Sequence, residues 1–172
     1  MNDSVAVRTA TTEDIEGIVT CSVALLTEDA AVRDPRVEPL WALRHGRESF
    51  EATLADPACL LLVAADPSGR VVGYLIGVLA EPVGVLPIRS ATLRALYVAP
   101  ERRGGGTGAR LTADFFGWAR EKGAVRAEVN AYAENVAGRR FYERQGFATR
   151  AIRLDLDLDG APRAEPEERS GA

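Results

Sequence analysis

The chain has 172 residues, a net charge of −4 at neutral pH, 47% hydrophobic and 27% charged residues. That length suits one domain with a real core, and the balance is that of an ordinary globular protein. No apolar run reaches the roughly 18 residues of a membrane span, and the first ten residues lack the basic start and apolar block of a signal peptide, so a cytoplasmic location is expected. Residues 155–172 hold six acids and two arginines, which leaves residues 1–154 neutral overall. A body without basic excess argues against a nucleic-acid partner. Cys21 and Cys59 stand in apolar contexts and read as small, reduced core residues. No Cys/His cluster has metal-ligand spacing, so no metal is expected. His45, the single histidine, lies in a polar helical stretch and reads as a solvated surface residue.

In chain order, residues 5–8 alternate apolar and polar and predict a short strand. Thr11-Thr12-Glu13-Asp14 supplies a hydroxyl cap and first-turn acids. The helix it opens, with Ile15, Ile18, Val19 and Leu26 at helical spacing, is expected to end near Leu26. Residues 27–39 are polar, contain two prolines and read as a loop; a second helix is expected over 40–54. Residues 60–65 and 71–79 form a hairpin about the Asp66-Pro67-Ser68-Gly69 turn. A strand over 90–98, a helix reaching Lys122 and stopped by Gly123, a strand over 125–130 and a helix over 134–145 stopped by Gly146 follow. Residues 147–158 alternate cleanly, with Ile152, Leu154, Leu156 and Leu158 on one side, and predict a half-exposed strand. Beyond Gly160 the composition is that of a disordered, acidic tail. This order predicts an α/β single domain over 1–158, with a mixed sheet and helices on both faces.

The most informative run is Arg102-Arg103-Gly104-Gly105-Gly106-Thr107-Gly108-Ala109-Arg110, between a strand and a helix. A glycine turn there exposes several backbone N–H groups together, and the helix N-terminus adds about half a positive charge. That is an anion site, with phosphate its usual guest. A P-loop needs a Gly-Lys-Ser/Thr sequence that is absent. A dinucleotide turn is matched in pattern by Gly104, Gly106 and Ala109, with Glu128 as the ribose acid, but too few strands follow to complete that fold.

The segment LRALYVAPERRGGGTGARL resembles the acetyl-CoA motif of the GNAT superfamily of N-acetyltransferases, with Arg103, Gly106 and Gly108 meeting its Arg/Gln-x-x-Gly-x-Gly core. The segment NVAGRRFYERQGF resembles the family's second signature through Asn135, Gly138, Tyr142, Gly146 and Phe147. The resemblance covers residues 4–158. It implies an acyl-CoA N-acyltransferase fold, with a mostly antiparallel sheet and a splayed parallel pair in its centre. It also implies acetyl-CoA as cosubstrate. The backbone N–H groups of Gly104, Gly105, Gly106, Thr107, Gly108 and Ala109 are expected to hold the pyrophosphate with Arg103 nearby. Leu96, Tyr97 and Val98 would pair with the pantetheine arm, Asn135 would bond it, and Tyr142 would sit by the sulfur.

The implied reaction is direct acetyl transfer to an amine, with the N–H of Val98 as oxyanion donor and Tyr142 as general acid. A core aromatic beside Phe141 is the structural alternative for Tyr142. The chain departs from better-known branches in its base. Thr92 and Asn130 occupy the positions where relatives place a Glu. Glu81 is open to a role through water, and a loop-surface reading is favoured for it. Glu28, Asp29, Asp34 and Glu38 are expected in a loop bordering the acceptor site, where they would attract a cationic amine or simply be solvated. A small primary amine is the expected acceptor. A peptide or protein N-terminus and a catalytically silent acyl-CoA-binding module are the alternatives. Edge strands and the alternating last strand offer a surface for a homodimer.

Overall fold

The computed structural model describes residues 5–158. Its strands are β1 (Ala6–Thr9), β2 (Cys59–Ala65), β3 (Val71–Ala80), β4 (Ser90–Val98) and β5 (Arg126–Val129). Its helices are α1 (Ile15–Leu25), α2 (Ala31–Arg33), α3 (Trp41–Ala55), α4 (Thr107–Glu121) and α5 (Val136–Arg144). The five strands lie in sequence order in one sheet. The first four are antiparallel, and β5 joins β4 in parallel.

β2 and β3 are almost wholly buried because helices cover both faces of the sheet. On one face Leu60, Leu62, Leu75 and Leu93 pack with Leu111, Phe115 and Ala119 of α4. On the other, Leu61, Val63, Tyr74 and Ile76 pack with Ile15 and Ile18 of α1 and Phe50 of α3. Ahead of α1, Asp14 accepts from the N–H and hydroxyl of Thr11 and takes both terminal nitrogens of Arg8 at 2.7 and 2.8 Å. The expected hydroxyl cap is thus answered by a carboxylate that joins the first strand to the first helix.

Most elements lie within a residue or two of their expected bounds, and three differ instructively. First, the chain does not leave the helix near Leu26. A π turn, Leu26–Ala30, carries it into α2, and it stops only where Asp34 is extended before Pro35. Second, β4 carries a bulge. Ile76 faces Ala95 while Gly77 faces Leu93, which leaves Arg94 as the extra residue. The inserted residue reverses the alternation, so Ala91 and Leu93 belong to the α4 face and Ala95 and Tyr97 to the α1 face. Third, residues 151–158 form no strand. The parallel pair therefore lies at the end of the described sheet rather than in its centre. The expected tail, 159–172, falls outside the described residues.

His45 is exposed and stacks with Trp41. Cys21 is a buried free thiol, while Cys59 is only half-buried and contacts Asp56. No helix among the described residues is long and apolar enough to cross a membrane, and no group of three potential metal ligands occurs among them.

Candidate functional site

The site begins at the β4 bulge. Pairing of β4 with β5 runs from Ser90 and Arg126 to Leu93 and Val129 and stops there, while β4 itself continues to Val98. Beyond the bulge β4 stays with β3: Tyr97 faces Tyr74, Val98 faces Gly73, and the Ala99 N–H donates to the Val72 carbonyl at 2.8 Å. A gap therefore opens on the other edge of residues 94–98. The Val98 carbonyl points into it, accepting from Nε of Arg103 at 2.8 Å. In an antiparallel ladder the N–H and carbonyl of one residue share a direction, so the Val98 N–H faces the same gap.

The turn after β4 is a short 3-10 segment, Pro100–Arg102, followed by the glycines. Gly104 and Gly106 have φ of 81° and 80°, and a Cβ at either would meet no atom within 4 Å. These left-handed positions turn the chain sharply into α4, whose first N–H groups lack helical acceptors. A cavity of about 380 Å³ lies against the turn, lined by Arg102, Arg103, Gly105, Thr107 and Arg110 among others. An open glycine cradle, three arginines and a helix N-terminus fit a diphosphate, and so fit the acetyl-CoA expected there.

Across the gap stands the π turn. Glu28 accepts from the Tyr97 hydroxyl at 3.0 Å and from a terminal nitrogen of Arg103 at 2.6 Å. Arg103 also lies over the Tyr97 ring, 5.6 Å from its centroid. Burial pushes the Tyr97 hydroxyl up to about 12, and the bond to Glu28 adds to the shift. Asp29 accepts from Asn135 Nδ2 at 2.8 Å and from Arg33 at 2.6 Å. The acids expected in a loop are thus held on helical backbone. Asp34 instead accepts from the Arg36 N–H, and Glu38 pairs with Arg44. Sequence reasoning missed Arg33 and the Tyr97 side chain. An Asp29–Arg33 spacing of four residues signals the first only if 27–33 is read as helical.

Asn135 caps α5, accepting from the Gly138 N–H at 2.9 Å. A Cβ on residue 138 would lie 2.8 Å from Asn135 Nδ2, so a larger residue there would displace the Asn135 side chain. One turn further, Tyr142 packs edge-on against Phe141 and Phe147 and against the α4-side core. Burial first, and then the charge of Asp29, raise its hydroxyl to about 12. The phenol is thus both a packed aromatic and a held proton near the acidic turn.

The remaining candidates lie elsewhere. Thr92 is half-buried on β4 before the bulge, opposite Glu128 of β5, and Asn130 follows the end of β5. Glu81 is an exposed acid paired with Arg89 at 2.9 Å, in keeping with the loop-surface reading.

Residues 27–147 match the family model for the acetyltransferase (GNAT) family. No curated protein sequence matches the chain. Among solved structures, a transcriptional regulator from Bacillus halodurans C-125 is 25% identical with a TM-score of 0.73, covering 90% of this chain and 100% of its own. Glucosamine-6-phosphate N-acetyltransferase from Arabidopsis thaliana is 14% identical with a TM-score of 0.69, covering 91% and 100%. An aminoglycoside N-acetyltransferase solved with CoA is 15% identical with a TM-score of 0.69, covering 91% and 96%. The family match spans well over half of the sequence and includes the glycine turn, the π turn and the Asn135–Tyr142 helix; the chain belongs to the GNAT acetyltransferase family and is an acyltransferase.

Proposed function

We propose that the protein moves an acetyl group from acetyl-CoA directly to a primary amine of a small, cationic molecule. The observation that carries this reading is the gap beside residues 94–98. The glycine turn borders one end, Tyr142 lies on the helix beyond, and Glu28 and Asp29 face it from the π turn. Acetyl-CoA supplies the activated acyl carbon and the thiolate leaving group.

The chain's own groups divide the remaining work. The N–H groups of Gly104, Gly105, Gly106, Thr107, Gly108 and Ala109 and the Arg103 guanidinium bind the diphosphate. The free edge of Leu96, Tyr97 and Val98 orients the pantetheine arm, with Asn135 bonding it from α5. The Val98 N–H receives the charge that grows on the acyl oxygen. The ammonium first gives one proton to solvent; the neutral nitrogen then bonds to the acyl carbon and loses a second proton to solvent as the carbon–sulfur bond breaks, and the thiolate takes a proton from Tyr142, which solvent then restores. Glu28, held to Arg103 until the diphosphate takes that guanidinium, attracts the protonated amine. It favours a cationic small molecule over a neutral one, while Asp29 stays paired with Arg33.

The test is calorimetry with acetyl-CoA, CoA, NAD and NADP, followed by thiol release across a panel of polyamines, amino acid derivatives and aminoglycosides. Binding of both CoA species with turnover on a cationic amine is the expected result. CoA binding without turnover on any amine, including peptide N-termini, would mark a non-catalytic acyl-CoA module. Binding of NAD or NADP alone would overturn the coenzyme assignment.

A further inference from the structure

Asn135 is held from two directions. Its Oδ1 accepts from the Gly138 N–H at 2.9 Å, and its Nδ2 donates to Asp29 Oδ1 at 2.8 Å. The first contact offers only a donor and the second only an acceptor, so the amide has one orientation. Turned over, Nδ2 would face the Gly138 N–H and Oδ1 would face a carboxylate, and both bonds would be lost. The cap fixes one edge of the amide, and Asp29 fixes the other. A primary amide carries two hydrogens on its nitrogen. One goes to Asp29, and the second has no acceptor among the described residues.

The Asp29 carboxylate is itself clamped. Arg33 Nη1 donates to Asp29 Oδ1 at 2.6 Å and to the Asp29 carbonyl at 2.8 Å. Among the described residues the guanidinium makes no other hydrogen bond, and its Nε is buried without an acceptor. The side chains of Arg33 and Asp29 are 20% and 27% exposed, so water screens this pair less than one on the open surface. An arginine so far out of water, and devoted to one residue, is weak evidence for stability. What the clamp secures is geometry. One nitrogen holds both the backbone and the carboxylate of Asp29, which leaves that side chain little freedom to swing away from Asn135. The π turn sets the spacing, because Asp29 lies within it and Arg33 ends α2 directly behind.

We propose that Asp29 and Arg33 are positioning residues for the pantetheine arm of the coenzyme. Arg33 fixes the Asp29 carboxylate, the carboxylate fixes the Asn135 amide, and the spare Nδ2 hydrogen meets a carbonyl of the arm's amides. The proposal rests on the reading above that Asn135 bonds that arm. Both residues act through Asn135. Asp29 does so as a hydrogen-bond acceptor, since its charge is already matched by Arg33.

Calorimetry with two probes tests the chain of contacts. CoA carries the arm, and 3′-phospho-ADP is CoA without it. The double variant Asp29→Ala with Arg33→Ala leaves no unpaired charge behind. It is expected to bind CoA about fivefold or more weakly, as loss of one hydrogen bond requires, and 3′-phospho-ADP within about twofold of wild type. Asp29→Asn keeps an acceptor for Asn135 and Arg33 and is expected to recover most of the CoA affinity. Asn135→Ala is the reference and should weaken CoA alone. Equal loss of both probes in the double variant would make the pair a structural tie and overturn the proposal. So would an Asp29→Asn protein that binds CoA as weakly as the double variant. Wild-type CoA binding in the double variant, with CoA weakened in Asn135→Ala, overturns the proposal and leaves Asn135 on the arm. Wild-type CoA binding in Asn135→Ala removes Asn135 from the arm and overturns both readings.

Discussion

Arg103 links the two sides of the gap: its Nε donates to the Val98 carbonyl at 2.8 Å while a terminal nitrogen reaches Glu28 at 2.6 Å. The guanidinium proposed for the diphosphate is therefore held, without it, by the carboxylate proposed for the amine. Binding of the coenzyme would draw Arg103 toward the glycine turn and release Glu28 to the acceptor. Arg103→Ala is expected to weaken CoA binding about tenfold or more, as loss of a charge-assisted hydrogen bond of roughly 1.5–3 kcal/mol requires. Glu28→Gln is expected to leave CoA affinity equal or higher and to raise KM for a cationic amine. Calorimetry with CoA on both variants decides; a Glu28→Gln protein that lost CoA as Arg103→Ala does would contradict this division of roles.

Tyr142 is expected to act through its proton. Tyr142→Phe keeps the ring packing against Phe141 and Phe147 and should lower kcat about a hundredfold or more with little change in CoA affinity. Because burial raises the hydroxyl to about 12, the donating form is the populated one through the whole neutral range. Raising the pH to about 10 should thus give no falling limb from this group, since the ionised form gains population only as the pH nears the raised value. Thiol release followed against pH measures both, and an unchanged rate and profile in the variant would remove the general-acid role.

Gly138 is fixed by its neighbour. In Gly138→Ala the new methyl would stand 2.8–2.9 Å from three atoms of the Asn135 side chain. The Asn135 side chain must then shift, which weakens its cap and its bond to Asp29. Loss of an N-cap costs about 0.5–2 kcal/mol. A lower urea midpoint with weaker acetyl-CoA binding is expected, and a variant equal to wild type in both would show that the cap does not position Asn135.

Asp14 makes the fold acid-sensitive. Its bonds from Arg8, foremost, hold its carboxyl below the ordinary value of 3.8. A group with a lowered folded value stabilises above its unfolded value and loses that contribution as the pH falls through the folded one. Asp14→Asn is therefore expected to lower stability at pH 7 by about 1–3 kcal/mol. The gap from wild type should begin to narrow below about pH 4, where the carboxyl of the unfolded chain takes up a proton, and close only as the pH falls through the lowered folded value. Urea unfolding at both pH values reads the difference directly.

Elements with local signals are legible in the chain: the hairpin about Gly69, the strand Ser90–Val98, the glycine turn, and the α5 signature from Asn135 to Phe147. Each rests on short-range stereochemistry, a cap, a left-handed glycine or a period of two, which no distant contact overrides. Long-range contacts set what local signals leave open. The acids at 28 and 29 have a loop-like composition, yet their bonds to Tyr97, Arg103, Arg33 and Asn135 come from other parts of the chain and accompany a helix continued to Arg33. Arg94 looks like any strand residue, and only the register against β3 reveals the bulge beyond which Tyr97 meets Glu28 and the gap opens. Alternation at 151–158 is legible as a strand, but a strand exists only with a partner edge, and alternation does not say which chain supplies it.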